Sequence, residues 1–325
     1  MDNYCGQRFA RLTGVALLVA ALASAACAQY ASDAIKRDDS RRVPGFWVKI
    51  TCSNAAAQMA EGRALDAHGR WRAAGHAYRA VVYGWPDASE APAAQVAYAR
   101  TLEKRGLDHD AFLEYQYLVD YYAGQFPYDE IMGRQLALAD RVRDTKRMRW
   151  LFGGFHAPER ARPLFEKLVE NAPDWTNAPY AQFQVGRIHE QSDEFEEAMA
   201  AYDAVQSRYY TAALAPEAAF RRASCLASLS DSRPNDEATC ETARLALLQF
   251  SRDFSATTFA GKARREVERL DVRLGAMAYE KAHYYDRLVH RTVAAIPMYE
   301  AFLKRFPNDV RAVAVRKRLD VLRKG

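Results

Sequence analysis

The stretch Gly62-Arg-Ala-Leu-Asp-Ala-His-Gly-Arg-Trp-Arg-Ala-Ala-Gly-His-Ala-Tyr-Arg-Ala-Val-Val-Tyr-Gly-Trp-Pro86 decides the fold. Ala74 and Tyr78 stand four residues apart, so they share one face of a helix predicted over Trp71 to Tyr83. Gly69 and Arg70 form the turn before it. A preceding helix carries Gly62 and Leu65 and starts at Asn54, a residue suited to an N-cap. The small-then-aromatic pair returns at Ala111/Tyr115, Ala161/Phe165, Ala198/Tyr202 and Ala295/Tyr299, with Ala243/Leu247 as a weaker member. The intervals run from about 37 to 52 residues, the range of stacked helical repeats. In such an array no hairpin buries its apolar face alone.

The spacing of Gly62, Ala74, Tyr78 and Pro86 resembles the tetratricopeptide pattern. There, small residues let two helices approach, the aromatic fills the gap, and Pro begins the next helix cleanly. A second unit runs from about Pro92, turns at Gly106 and ends at Phe126-Pro127. The third has a helix from about Leu136 to Phe152, a Gly153-Gly154 turn, then Pro158 to Asn171. The fourth follows Asn177-Ala-Pro179 and ends at Tyr209-Tyr210. A fifth spans Pro216 to Phe254 around a long loop, Ser230-Asp-Ser-Arg-Pro-Asn-Asp236. A charged helix from Thr257 to about Gly275 then links to the sixth, which holds Tyr279, Ala295, Tyr299 and Pro307. A capping helix from Asp309 to Lys324 closes the chain. The expected fold is all-α, a right-handed superhelix of about five to six such hairpins over residues 54–325.

Composition agrees with that reading. Half of the 325 residues are apolar, Ala is abundant, and β-branched runs are scarce. The net charge of +5 is modest, and basic and acidic residues are interspersed. No basic block with interleaved aromatics points to nucleic acid. Lys262-Ala-Arg-Arg-Glu-Val-Glu-Arg269 mixes both signs at helical spacing and reads as a solvated face.

At the N-terminus, Arg8 and Arg11 precede an apolar stretch from Leu12 to Ala26. Its length suits the core of a signal peptide and is short for a membrane span. Two processing routes are open. Small residues at Ala26 and Ala28 suit cleavage before Gln29. The residues before Cys27 also resemble a lipobox, with Ser24 where Leu is usual, so that lipidated Cys27 would begin the mature chain. Residues 27–53 then form a polar tether.

Export places the remaining cysteines in an oxidising compartment. Cys225 and Cys240 flank the fifth loop at similar distances and are disulfide candidates; the alternative is two small buried thiols. Unmodified Cys27 could bridge to Cys52. These spacings do not make a zinc site, and no metal or cofactor is expected.

The junctions Tyr83-Gly-Trp-Pro-Asp-Ala-Ser-Glu-Ala-Pro-Ala93 and Tyr209-Tyr-Thr-Ala-Ala-Leu-Ala-Pro-Glu-Ala218 resemble those of the BamD (YfiO-like) outer-membrane assembly lipoproteins. Phe254-Ser-Ala-Thr-Thr-Phe-Ala260 and Phe306-Pro-Asn-Asp309 are degenerate copies. The segments Ala278 to Tyr285 and Ala294 to Pro307 resemble that family's last repeat. The resemblance implies a non-catalytic protein held by an N-terminal lipid on the periplasmic face of the outer membrane. Its implied partners are the barrel-assembly subunit, other assembly lipoproteins and unfolded outer-membrane protein segments. Similar junctions occur in soluble periplasmic coordinators of cell-wall synthesis and division, which is the alternative reading.

Catalytic motifs are absent from the sequence. His189-Glu190 lacks the second His of a zinc-protease helix, and Gly153-Gly154 is followed by no Lys-Ser/Thr. A hydrolase site near His156 or His189 is the remaining enzymatic alternative. His283, Tyr284 and Tyr285 read as an aromatic cluster. Recognition is the better expectation, with Met59, Arg63, Arg100, Glu103, Arg143, Lys146 and Trp150 lining a groove. Such a mixture suits peptide segments with apolar side chains and carboxylates.

Overall fold

The computed structural model describes residues 48–147 and 155–323. The expected leader, Cys27, most of the tether, Trp150 and the Gly153-Gly154 turn lie outside the described residues. The chain divides into two units at Ala181 and Gln182, each described by itself.

The first unit contains α1 (Ala55–Ala67), α2 (Trp71–Gly84), α3 (Ala91–Lys104), α4 (Asp108–Tyr121), α5 (Tyr128–Asp144) and α6 (Arg162–Asn171). Asn54 caps α1, its side-chain oxygen accepting from the Ala57 amide at 2.8 Å. Gly69 and Gly106 turn the first two hairpins at a φ of 70°, which side-chain-bearing residues rarely adopt. Successive helices pack on one another, and the small-aromatic pairs Ala74/Tyr78, Ala111/Tyr115 and Ala161/Phe165 are buried between them.

The boundary between units falls within α7 (Ala178–Gln191). The second unit continues with α8 (Phe195–Arg208), α9 (Ala215–Ser232), α10 (Glu237–Asp253), α11 (Ala260–Arg287), α12 (Thr292–Arg305) and α13 (Ala312–Leu322). From α8 onward each helix again packs on the next. Ala198/Tyr202, Ala243/Leu247 and Ala295/Tyr299 are buried. The fold is therefore all-α, and the described residues of the two units form six tetratricopeptide-like hairpins followed by α13.

Four of the five junctions between hairpins, and the one before α13, share one backbone form, two turns in tandem. The Ala88 amide donates to Trp85 and that of Ala91 to Ala88. The same pair of bonds joins 172, 175 and 178, then 209, 212 and 215, then 254, 257 and 260, then 306, 309 and 312. Pro92, Pro179 and Pro216 each occupy the second helical position, where the missing N–H costs no intrahelical bond. Pro86, Pro173 and Pro307, read as closing their units, stand inside the first of the tandem turns.

Three expectations are corrected. In the third hairpin, the helix expected over Leu136 to Phe152 instead runs from Tyr128 to Asp144. It is followed by β1 (Lys146–Arg147), which pairs antiparallel with β2 (Phe155–His156), and by a 3-10 turn at Pro158–Arg160. Thr145 is extended and ends the helix.

The fifth loop is short, because α9 continues through Ser232. Arg273 of α11 holds that helix end, donating to the carbonyls of Ser230 at 2.7 Å and Arg233 at 3.2 Å. These bonds satisfy carbonyls that a helix terminus otherwise leaves open.

The charged segment from Thr257 is no separate linker, since it belongs to the 28-residue α11, the first helix of the sixth hairpin. Cys225 and Cys240 are free thiols. Cys225 packs with Phe183, Ala198 and Tyr202, whereas Cys240 packs with Ala223, Ala243 and Leu247, so their side chains serve different apolar clusters.

Candidate functional site

A cleft of about 520 Å³ opens in the first unit between α1, α3 and the turn before α5. Met59, Tyr78, Val96 and Phe126 supply its apolar surface, and Arg63 and Arg100 its cations. Met59 and Tyr78 are anchored in the core, while Arg63 is exposed and has no ion-pair partner among the described residues. Arg100 shares its guanidinium with Glu130 at 2.7 Å. The cleft's carboxylate, Asp66, is already neutralised by Lys104 at 2.7 Å. The surface thus offers apolar contact beside surplus positive charge, a combination that favours a segment carrying an apolar side chain and a carboxylate.

Of the seven residues expected to line a groove, this cleft brings together Met59, Arg63 and Arg100. Glu103 is occupied elsewhere, accepting from Tyr115 Oη at 2.5 Å and from Arg134 at 3.4 Å. Arg143 is also committed: it pairs with Asp140 and Asp144, each at 2.8 Å, and lies over the Phe165 ring at 6.0 Å. Lys146 sits in β1, beyond the helix on which it was expected. Val96 and Phe126 were missed. Phe126 stood next to Pro127 in a segment read only as a unit boundary.

The arrangement around Glu103 recurs. Tyr202 donates to Glu190 at 2.5 Å, and Glu190 pairs with Arg221 at 3.1 Å. Tyr299 donates to Asp286 at 3.2 Å, and Asp286 holds Arg318 at 2.7 Å. In each clasp the second helix of a hairpin supplies the phenol, its first helix the acid, and the following element the Arg. Burial, and then the neighbouring carboxylate, push the phenols of Tyr115 and Tyr202 far above their ordinary range. Tyr299 is pushed up to about 12, by burial and by the charge of Asp286. The Arg318 hydrogen bonds hold the Asp286 carboxyl below its usual value. Each clasp joins successive hairpins through one buried hydroxyl, so these tyrosines and acids serve architecture rather than a ligand.

Neither His189 nor His283 takes part in a comparable constellation. His189 Nδ1 lies 2.6 Å from Glu194 across the turn after α7. His283 stacks on Tyr279 with ring centroids 5.5 Å apart, and Tyr284 meets Tyr285 edge-on at 5.6 Å. Among the described residues, no group of three or more His, Cys, Asp or Glu could hold a metal ion. No helix among them is long and apolar enough to cross a membrane.

The fold defines a class, an array of tetratricopeptide-like hairpins. No model of a protein family matches the chain, and no curated protein matches it. Among solved structures, a tetratricopeptide repeat protein from Parabacteroides merdae is similar over 82% of this chain and 98% of its own. The identity is 11% and the TM-score 0.30.

Proposed function

We propose that the chain is a non-catalytic scaffold of the outer-membrane β-barrel assembly machinery. In this reading it is exported, anchored through lipidated Cys27 to the periplasmic face of the outer membrane, and bound to the barrel subunit. The cleft of Met59, Arg63, Arg100 and Phe126 receives unfolded substrate segments. The observation that carries the reading is this pairing of apolar surface with an unpaired Arg63. Barrel precursors must cross the periplasm with apolar side chains exposed, and a cationic apolar cleft can hold them without catalysis. The signal-like N-terminus and the Tyr83 to Ala93 and Tyr209 to Ala218 junctions supply the cellular setting.

The test is recovery of the tagged full chain from outer membranes, with and without Arg63→Glu and Arg100→Glu. The barrel subunit should co-purify with both forms, while crosslinking to unfolded barrel segments should fall at least tenfold in the double variant. Absence of a barrel-assembly subunit among the partners overturns the reading. Ser24 in the lipobox favours one alternative, a soluble periplasmic coordinator of wall synthesis or division. A mature N-terminus at unmodified Gln29, found by mass spectrometry, would select it.

A further inference from the structure

The second unit holds another cleft, of about 550 Å³, between α9 and α11. Phe220 and Ala227 of α9 form its apolar side, and Lys262, Arg265 and Arg269 of α11 line the other. Phe220 is fixed by its neighbours, with ring centroids 5.3 Å from Phe259 and 5.6 Å from Phe250. The two acids in the cleft are spent on one cation: Arg269 pairs with Asp231 at 2.9 Å and with Glu266 at 2.8 Å. Asp231 also holds Arg273 at 2.8 Å. Lys262 and Arg265 are exposed and form no ion pair among the described residues; Lys262 lies 5.4 Å from the Phe259 ring.

One observation independent of these side chains points to an anion in the same place. Ser224 lines the cleft, and its Oγ is buried with no hydrogen-bond partner among the described residues. A buried hydroxyl without a partner is a small minority case in folded proteins, and an acceptor arriving in the cleft would satisfy it. No side-chain cap and no acid in the first turn of α11 offset the positive end of that helix.

We propose that this cleft binds an acidic segment of a partner protein in which a carboxylate lies beside an apolar side chain. The carboxylate meets Lys262, Arg265 and the Ser224 hydroxyl, and the apolar side chain covers Phe220. A free phosphate would use the cations but leave Phe220 bare, so the aromatic side favours a peptide. This site goes beyond the first-unit cleft and does not depend on a role in barrel assembly.

The test uses the full chain and a fluorescein-labelled ten-residue peptide alternating Phe and Glu, read by fluorescence anisotropy. Variants Lys262→Gln/Arg265→Gln and Lys262→Glu/Arg265→Glu alter exposed, unpaired groups, and unchanged thermal melting confirms that they fold. Affinity should fall at least threefold in the first and tenfold in the second. It should also fall at least tenfold for the same peptide with Gln in place of Glu. In the Arg63→Glu/Arg100→Glu background, which closes the other cleft to the peptide, binding should persist and should still fall at least tenfold with Lys262→Glu/Arg265→Glu, which separates the two sites. Equal affinity of the charge-reversed variant, loss of binding in the Arg63→Glu/Arg100→Glu background, or full displacement by millimolar inorganic phosphate each overturns the proposal.

Discussion

The ring of Tyr202 lies so close over Gly186 that a Cβ on that glycine would stand 2.6 Å from Tyr202 Cε1. Gly62 meets Tyr78 in the same way at 2.5 Å. Alanine is the better helix former by about 1 kcal/mol, yet here it would displace a buried aromatic. Gly186→Ala should therefore destabilise the protein by about 1–3 kcal/mol, the range for overpacking a core. Gly133→Ala is the matched control. Gly133 lies in α5 with nothing within 4 Å of its would-be Cβ, so that change should stabilise by about 0.5–1 kcal/mol. Urea denaturation of both variants reads the difference in sign.

The clasp at Tyr299, Asp286 and Arg318 gives a pH signature. Asp286 is depressed in the folded state, so its contribution is complete above the unfolded value, about 3.9. It is lost as pH falls through the lower folded value. Tyr299 is raised, so its contribution is complete below the ordinary phenol value and is lost as pH rises through about 12. Arg318→Gln should lower stability by about 1.5–3 kcal/mol at neutral pH, the scale of a hydrogen bond to a charged group. The gap between variant and parent should close at the acid limit. Melting curves across pH check both limbs.

The two buried cysteines should resist chemistry while the protein is folded. Burial pushes the Cys225 thiol up to about 12 and raises that of Cys240. Since the thiolate is the nucleophile, iodoacetamide should label neither until denaturant is added. Cys52 is partly exposed and should react first. Mass mapping of the peptides would reveal a Cys225–Cys240 bridge if oxidation formed one.

Arg273 sets where α9 ends. Arg273→Met keeps an unbranched apolar stem but removes the bonds to the Ser230 and Arg233 carbonyls and to Asp231. The last turn of α9 should fray, and amide exchange of residues 230–233 should accelerate at least tenfold. The remainder of α9 should exchange as before.

The hairpins were legible because the Ala-x-x-x-aromatic pair is a local signal: both residues face the core of one helix, and Gly69 and Gly106 mark turns by backbone geometry. Helix ends were less legible. The extent of α9 depends on Arg273, about forty residues away and silent in any local window. The break of α5 at Thr145 likewise has no Gly or Pro to announce it.

A second pattern was present in the sequence but unread. Gly62/Asp66, Ala99/Glu103, Gly186/Glu190 and Ala282/Asp286 place a small residue and an acid four apart, ahead of each tyrosine. At Gly62 and Gly186 the small residue lies against the ring, and in the last three pairs the acid accepts the hydroxyl. That pattern would have removed Glu103 from the groove. In the charged start of α11 the face is solvated as expected, with Lys262, Arg265 and Arg269 exposed; the mixed signs did not tell that the cleft's two acids are taken by Arg269 and Arg273, which leaves Lys262 and Arg265 unbalanced. Which charges cancel is a tertiary fact.

Three of the six repeats lack the clasp: Phe165 and Leu247 stand in the tyrosine's place, and in the first repeat Asp66, the acid ahead of Tyr78, is held by Lys104 instead. In a linear array, cooperativity depends on the coupling between neighbours. Opening that starts at one end can therefore pause at these three joints, where no phenol–carboxylate bond must be released before the next hairpin lets go. The chain would then come apart in blocks of hairpins, its points of partial opening chosen by where the clasp is absent.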